Sequence, residues 1–215
     1  GIIIANMSDK DMDYLEKASF PCPVVLFNRT SDKYGCVTMD NYEIGRNVGR
    51  HFIKKGCYHT GVLTHDTSFP IMRMWMKGFL DVFAEAGHPI AAEDIILCNT
   101  SSASAVEVCE DLYRRGKMPQ ALFCESDVLA HGVLYACHNL GLIIPNDLEV
   151  FTIGITMPEL NDFAIPSLSR IDIPMGLIGE ECMRLITALI EKKKTVPTVI
   201  YIDGKKIIAQ SSPEK

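Results

Sequence analysis

The sequence lacks the short motifs that mark nucleotide chemistry and nucleophilic catalysis. It contains neither G-x-G-x-x-G nor G-x-x-x-x-G-K-[ST], the glycine-rich loops that hold phosphates, and no G-x-S-x-G nucleophile elbow. The local group Ser126, Asp127 and His131 is better explained as a helix N-cap with an aspartate-histidine pair than as a catalytic set. We therefore expect neither an enzyme nor a bound cofactor.

Long apolar runs and blocks of positive charge are also missing. No stretch reaches about 18 consecutive apolar residues, and the opening GIIIA lacks the basic region and length of a signal peptide. Lysine and arginine are scattered and the net charge is -6 at pH 7, whereas holding nucleic acid requires clustered cations. We expect a soluble protein without a membrane segment, whose present chain does not bind DNA by itself.

The eight cysteines form no C-x-x-C pair. Most fall on apolar stripes or in strand-like runs, where a reduced cysteine behaves as a small hydrophobic residue. Cys57 and His59 lie close together, but two ligands without a second pair make a weak case for zinc. The pattern favours reduced structural thiols, a cytoplasmic setting and no metal site.

The stretch from Met39 to Thr64 carries the clearest structural pattern that is present. Ile44, Val48 and Phe52 recur at four-residue spacing and predict a helix with one buried face. Gly45 and Gly49 in the same helix predict a close approach of another backbone. The following run GVLT, residues 61–64, has no polar alternation, which is typical of a strand covered on both faces.

Apolar strands and amphipathic helices alternate along the rest of the chain. We predict a buried strand over 2–5 and further strands over 24–27, 95–98, 121–124, 148–153 and 169–173. We predict helices over 9–17, 71–86, 103–115 and 175–192, and one over 128–140 that Asp127 caps and Gly141 ends. This alternation predicts an α/β fold with parallel sheets, while the Asp203-Gly204 step between apolar runs predicts a β-hairpin.

Ligands of open α/β sheets bind beyond the carboxyl ends of the strands. The loops after Cys98, Cys124 and Ile153, and the loop before the helix that carries Arg73 and Trp75, should therefore share one crevice. The methionines and the tryptophan of the segment 72–76 either line this crevice or only fill the core. Position in the sequence leaves both interpretations open.

Several segments, taken in order, resemble the effector-binding region of the LacI/GalR family of transcription regulators. They include PVVLFNR, DNYEIGR, GCYHTGVLT, LFCESDVLAHG, PNDLEVFTIG and PSLSRIDIPMGLIGEECMRLI, and the resemblance runs from residue 1 to about 212. It implies a type I periplasmic-binding-protein-like fold of two doubly wound parallel-sheet lobes joined by crossing segments, with the N-terminal lobe incomplete in this chain.

The resemblance also implies where the lobes lie along the sequence. Residues 1–37 would belong to the N-terminal lobe and residues 38–168 to the C-terminal lobe. Residues 169–193 would form a crossing strand and a helix that returns to the N-terminal lobe, and residues 194–215 a final crossing and a hairpin of the C-terminal lobe.

A small effector, a sugar or related metabolite, would bind between the lobes of such a protein. The resemblance places at the ligand the residues Asn28, Arg73, Trp75, Thr100, Ser126, Asp127 and Thr156. Five of them depart from the family pattern. Trp75 stands where an arginine is expected, and Thr100 stands where an aromatic often stacks on the ligand. Asn28 stands where an aspartate is common, Ser126 replaces an asparagine, and Thr156 lies where an acidic pair is expected, so the pocket would be less polar than a typical sugar site.

The family acts as homodimers, and the residues that correspond to its dimer surfaces are Leu129, Val133, Pro158 and Leu160. Operator DNA would be bound by a helix-turn-helix head that we expect to be absent from this chain, and ligand-driven rotation of the lobes would change the spacing of two heads. A sugar-binding protein of a transport or receptor system is the alternative. Eight cysteines without an evident pairing pattern disfavour it, because the periplasm is oxidising.

Overall fold

The computed structural model describes residues 1–65, 69–155 and 158–214, with Pro158 lacking a described side chain. The strands are β1 (Ile2–Ile4), β2 (Val24–Phe27), β3 (Gly35–Thr38), β4 (Thr60–Thr64), β5 (Ile95–Leu97), β6 (Ala121–Cys124), β7 (Glu149–Gly154), β8 (Ser169–Asp172), β9 (Thr198–Tyr201) and β10 (Lys205–Ile207). The helices are α1 (Asp9–Lys17), α2 (Asn41–Lys55), α3 (Pro70–Glu85), α4 (Ser102–Arg114), α5 (Asp127–Leu140), α6 (Pro158–Phe163) and α7 (Met175–Ile190). Among the described residues, no helix has the length and apolar character needed to cross a membrane.

Two compact units divide the chain. The first contains Gly1–Asn41, a short segment that ends at Trp75, and Pro174–Gly204, and the second contains the remaining described residues. The chain therefore changes unit after Asn41, again before the segment that ends at Trp75, and then after Trp75, Ile173 and Gly204. The lobe boundaries inferred from the family resemblance stay a prediction, and each unit is described by itself.

A four-stranded parallel sheet in the order β1-β2-β3-β9 forms the centre of the first unit. Leu15 of α1 contributes to a buried cluster with Val24 and Leu26 on one face. Successive strand residues point to opposite faces, so Val25 faces the other side, where a Cβ on Gly35 would lie 3.0 Å from the Leu189 side chain of α7. Helices thus cover both faces of this sheet.

The first strand is less buried than its sequence predicted. Ile2 and Ile3 are 37% and 38% exposed. The reason is position, because β1 lies at an edge of the sheet and pairs with β2 alone among the described strands. The predicted strand therefore forms over Ile2–Ile4, but the prediction that it is buried is wrong.

The second unit contains a six-stranded sheet in the order β10-β8-β7-β6-β4-β5. Its strands are parallel except β10, which runs antiparallel to β8. One face packs against α4 and α5 through an aliphatic cluster, and on the other face Phe52 of α2 and Phe79 of α3 contact Phe151 and Phe123 of the sheet. Phe52 is fully buried, which confirms the predicted inward stripe of α2.

The predicted hairpin at Asp203-Gly204 does not form. β9 pairs in parallel with β3 in the first unit, and β10 pairs antiparallel with β8 in the second. A two-residue turn signal predicts only local geometry, and an isolated two-stranded hairpin is marginal unless its strands bury a face together. Here each strand has its own partner in a different sheet, so the Asp-Gly step is a connection between units.

Two glycines of the second unit allow the backbones of neighbouring helices to approach each other closely. A Cβ at Gly78 of α3 would lie 2.0 Å from the carbonyl oxygen of Tyr42, and one at Gly132 of α5 would lie 2.3 Å from that of Ser102. Gly49 is also tightly packed, with a built Cβ 3.2 Å from the Phe79 carbonyl oxygen, as the sequence predicted. These glycines set how closely the helix pairs approach.

Replacing Gly78 by alanine should destabilise the protein, because the methyl group meets a backbone oxygen that cannot turn away. We expect Gly78→Ala to lower the free energy of unfolding by about 1–3 kcal/mol or more, measured by urea denaturation. Gly179→Ala is the matched control, since nothing lies within 4 Å of a Cβ there. Alanine is favoured over glycine inside a helix, so Gly179→Ala in α7 should raise the free energy of unfolding by about 1 kcal/mol. Equal effects of the two substitutions would contradict the packing described.

Candidate functional site

The first unit has a cavity at the carboxyl ends of its strands. Asn28 follows β2, Thr38 ends β3 and Tyr201 ends β9, and all three line a cavity of about 360 Å³. Its other polar walls are Arg29, Thr30, Asp40 and Asn41, and its apolar walls are Met12, Met39, Pro70, Ile71 and Met74. A volume in this range suits a small organic molecule.

Backbone geometry holds Asn28 in this cavity. Its φ of 51° is left-handed, a conformation that asparagine tolerates better than most residues. The Asn28 amide donates to the Val37 carbonyl at 2.7 Å, and the Asn28 carbonyl accepts from the buried Arg29 guanidinium at 2.7 Å. Arg29 also donates to the Met7 carbonyl, and burial lowers its pKa from the usual value. These hydrogen bonds therefore hold the loop after β2 in place on both sides of Asn28.

Trp75 is buried beneath the cavity. Its exposed fraction is 3%, and its indole Nε1 donates to Asn41 Oδ1 at 2.9 Å. The residues of α3 that line the cavity are Pro70, Ile71 and Met74. Trp75 is thus linked to the cavity through its hydrogen bond to Asn41, and its role as a direct ligand contact stays a prediction.

Arg73 points to a different partner. Its guanidinium pairs with the Asp9 carboxylate at 2.7 Å, and both side chains are about half exposed. This pair joins the first turn of α3 to the first turn of α1 within the first unit. In this arrangement Arg73 fastens two helices.

The second unit also gathers polar side chains at the carboxyl ends of its strands. The strand order reverses between β4 and β6, and the loops leaving such a point diverge and open a crevice. Thr64 and His65 stand at the end of β4, and Glu125 follows β6. Thr64 Oγ1 donates to Glu125 Oε2, while His65 places its ring Nδ1 and its backbone amide against Glu125 Oε1.

Glu125 is 3% exposed, and burial raises the pKa of its carboxyl above the usual value despite the hydrogen bonds that favour its charged form. Cys98 at the end of β5 donates to the Thr64 carbonyl at 3.5 Å, and burial raises its pKa to about 11. We did not predict Glu125 or His65 as site residues. The sequence signal for Glu125 was its position, because a charged residue there directly follows the fully buried four-residue strand β6.

Asp127 holds three elements of the second unit together. It is 1% exposed, and its carboxylate accepts from the backbone amide of Val128 at 3.1 Å, from that of Ile155 at 3.2 Å and from Asn161 Nδ2 at 3.3 Å. Asn161 Oδ1 in turn meets His131 Nε2 at 3.0 Å, so the asparagine links the two residues that were predicted to pair. The start of α5, the loop after β7 and α6 are thereby connected.

The remaining predicted ligand residues are less constrained. Ser126 occupies the N-cap position of α5 and Asp127 is the first residue of the helix, so the prediction that Asp127 caps it is wrong. The Ser126 side chain makes no capping hydrogen bond. Thr100 is exposed in the loop after β5. Thr156 lies outside the described residues.

Two of the expected dimer residues are in the core. Leu129 and Val133 are fully buried in the aliphatic cluster beneath α5, so they do not form a surface, and their prediction as interface contacts is wrong. The cause is that α5 is covered both by the sheet and by α4, while Tyr135 is a large hydrophobic residue of α5 that stays exposed. Leu160 of α6 is 51% exposed, and the Pro158 side chain lies outside the described residues.

A larger cavity of about 550 Å³ lies at the opposite edge of the second sheet. It is bounded by residues that precede β4 and β5, among them His59 and Asp94, and by Arg115 after α4. His59 approaches Asp94 at 3.8 Å, and Arg115 pairs with Asp111 at 2.9 Å. This cavity lies at the amino ends of the strands, whereas ligands of open α/β sheets bind at the carboxyl ends, so we place the candidate site there. In the described part of the chain, no three His, Cys, Asp or Glu residues are arranged to hold a metal ion.

Comparison with known proteins agrees with this architecture. The family model of the periplasmic binding protein-like domain matches residues 50–212. A LacI family transcription regulator from Clostridium acetobutylicum is 34% identical, with a TM-score of 0.92 over 96% of this chain and 76% of that one. Catabolite control protein A of Priestia megaterium is 25% identical over 99% of this chain and 64% of its own length. The repressor PurR of Photobacterium profundum is 26% identical over 97% and 63%.

The two α/β units therefore form a domain of the periplasmic-binding-protein-like class, which confirms the predicted fold. The chain belongs to the LacI family of transcription regulators, as its sequence segments indicated. The relatives named here are regulators and not enzymes. This chain spans less than two thirds of the length of the two curated ones.

The buried carboxyl of Glu125 predicts a pH-dependent stability. Because its pKa is raised in the folded protein, its contribution is complete below the unfolded pKa and is lost as pH rises through the folded value. Glu125→Gln has no such titration, so the stability difference between wild type and variant should fall from about pH 4 to neutral pH, by about 1.4 kcal/mol per unit of pKa shift. Thermal unfolding across this pH range measures it, with the exposed Glu180→Gln as background. A difference that does not change with pH would contradict the assignment.

Proposed function

We propose that this chain is the effector-sensing and dimer-forming region of a DNA-binding transcription regulator. The observation that carries the proposal is the set of polar side chains at the carboxyl ends of the parallel strands in each unit, in a chain of the LacI family. Operator DNA would be bound by a helix-turn-helix head outside this chain. The residues at the strand ends would bind a small effector, and its different affinity for two arrangements of the protein would control DNA binding.

The character of the cavity supports an effector that is only partly polar. The cavity lining includes the side chains of Asn28, Thr38 and Asn41 and also those of three methionines and an isoleucine. A sugar or related metabolite with an apolar face fits this division. The departures from the usual family residues at positions 28 and 126 point to an effector that differs from a common sugar.

The cysteines support a reducing, cytoplasmic setting for the regulator. Six of the eight are buried, and burial raises the pKa of Cys109 to about 12 and that of Cys137 to about 11. Such thiols are poor nucleophiles at neutral pH and act as small apolar side chains. The alternative, a solute-binding protein of a transport system, is disfavoured by membership of the regulator family.

An exposed apolar surface on the second unit supports a homodimer. Leu160, Phe163 and Ile165 are 51%, 80% and 92% exposed, and they lie on α6 and directly after it. The hydrogen bonds of Asn161 to Asp127 and His131 fix α6 against α5. Clustered apolar side chains of this size are expected to be covered by a partner, and a twofold contact would use the same surface on both copies.

A ligand screen tests the effector proposal. Calorimetric titration with sugars, sugar phosphates and purines should find at least one compound that binds saturably. Asn28→Ala should weaken that binding about tenfold, because a hydrogen bond at the cavity wall is lost. The exposed Asn139→Ala on α5 is the matched control and should bind as wild type does. Equal affinity of both variants would place the effector elsewhere.

Substitution of Phe163 tests the dimer surface. Phe163→Asp should convert a dimer to a monomer in sedimentation experiments, because an unpaired charge would be buried at the contact. Tyr113→Asp, at an exposed aromatic residue of α4 in the same unit, should leave the dimer intact. A dimer that survives Phe163→Asp at micromolar concentration would rule this surface out.

A further inference from the structure

The amide orientation of Asn41 is fixed from two directions. The Trp75 indole N–H can only donate, so the atom of Asn41 that it meets at 2.9 Å must be the carboxamide oxygen. The Met39 carbonyl can only accept, so the atom of Asn41 that meets it at 3.2 Å must be the nitrogen. The two contacts agree, which leaves Asn41 a single orientation.

The orientation of the Asn41 carboxamide also fixes that of Asn28. Its Nδ2 donates to Asn28 Oδ1 at 3.2 Å, and Thr38 Oγ1 donates to the same oxygen at 3.3 Å. Both lone pairs of that oxygen are then used. Asn28 is 7% exposed and its side chain faces the cavity, so the wall at this point presents the nitrogen.

The Nδ2 group of Asn28 is left as an unused donor. Within the described residues it has no acceptor, whereas every buried side-chain nitrogen or oxygen there has a partner. The nitrogen must therefore reach the open cavity. Its neighbours in the cavity wall include the thioether side chains of Met12, Met39 and Met74, which are weak acceptors at best.

We infer that Trp75 and Asn41 are positioning residues that make Asn28 a hydrogen-bond donor, so that the cavity selects a ligand with an acceptor atom at that point. The inference rests on the proposed effector site and specifies its chemistry. The ligand would carry a ketone-type carbonyl oxygen or an unprotonated ring nitrogen on an otherwise apolar ring. An aspartate at position 28, common in the family that the sequence resembles, would present an acceptor and select a hydroxyl donor.

The orientation can be tested without any ligand. In ¹⁵N–¹H spectra, the side-chain amide protons of Asn41 should exchange slowly with water, and those of Asn28 should exchange at least tenfold faster. The two signals are assigned by their loss in Asn41→Asp and Asn28→Asp. Trp75→Phe keeps the aromatic packing but removes the N–H, and should speed exchange at Asn41. Equal protection of Asn28 and Asn41 would overturn the inference.

The ligand preference is tested with cyclohexanone and cyclohexanol, which match in shape and differ in hydrogen-bonding ability. Asn28 can donate to either, whereas an aspartate at position 28 can only accept, and only the alcohol can donate to it. Binding to the purified wild-type protein and to Asn28→Asp is followed by chemical shifts of the cavity residues. Asn28→Asp should weaken the ketone about tenfold and change the alcohol little.

Thr30→Asp is the charge control, because it adds a carboxylate to the same cavity and keeps Asn28, Asn41 and Trp75 unchanged. It should leave the ketone-to-alcohol affinity ratio of the wild type unchanged. Trp75→Phe should lower that ratio severalfold, to a value between those of the wild type and Asn28→Asp. A ratio that shifts equally in Thr30→Asp and Asn28→Asp overturns the inference. So does the absence of binding by both compounds, and that result leaves the wider effector screen as a separate test of the proposed function.

Discussion

The parallel direction of the strands is the constraint on which the rest of this structure depends. Parallel pairing requires a crossover helix between most strands, which places helices on both faces and sends the carboxyl ends of the strands to one edge. Asn28, Thr38 and Tyr201 meet in this way in the first unit, and Thr64 and Glu125 in the second. The candidate site is thus a consequence of chain direction, since residues far apart in sequence reach the same edge.

Burial then decides what these polar groups can do. A buried amide or carboxylate needs hydrogen-bond partners inside the protein. Each internal hydrogen bond uses one donor or acceptor atom of the group, and only the remaining atoms can contact a ligand. Asp127 directs its carboxylate to backbone amides and Asn161 and so acts as a structural link. Asn28 accepts on its oxygen and retains its nitrogen. The difference between a structural and a ligand-facing polar residue is therefore visible in which atoms remain unpaired.

Local signals in the sequence predicted the elements well and their surroundings less well. Ser8 and Asp11 form the capping box of α1, and the bounds of α1 and β6 match the prediction, because caps and apolar runs act within a few residues. The exposure of β1, the separate partners of β9 and β10, and the burial of Leu129 depend on what lies opposite. Glu125 and the hydrogen bonds from Trp75 through Asn41 to Asn28 were missed for the same reason.

A crystal structure of the protein with the effector found by titration tests the central claim most directly. The ligand should lie at the carboxyl ends of the strands, with an acceptor atom about 3 Å from Asn28 Nδ2 and its apolar face against Met74 and Ile71. A ligand at the opposite edge of the second sheet, beside His59, Asp94 and Arg115, would contradict it. So would a ligand in the expected cavity that donates a hydrogen bond to the side chain of Asn28.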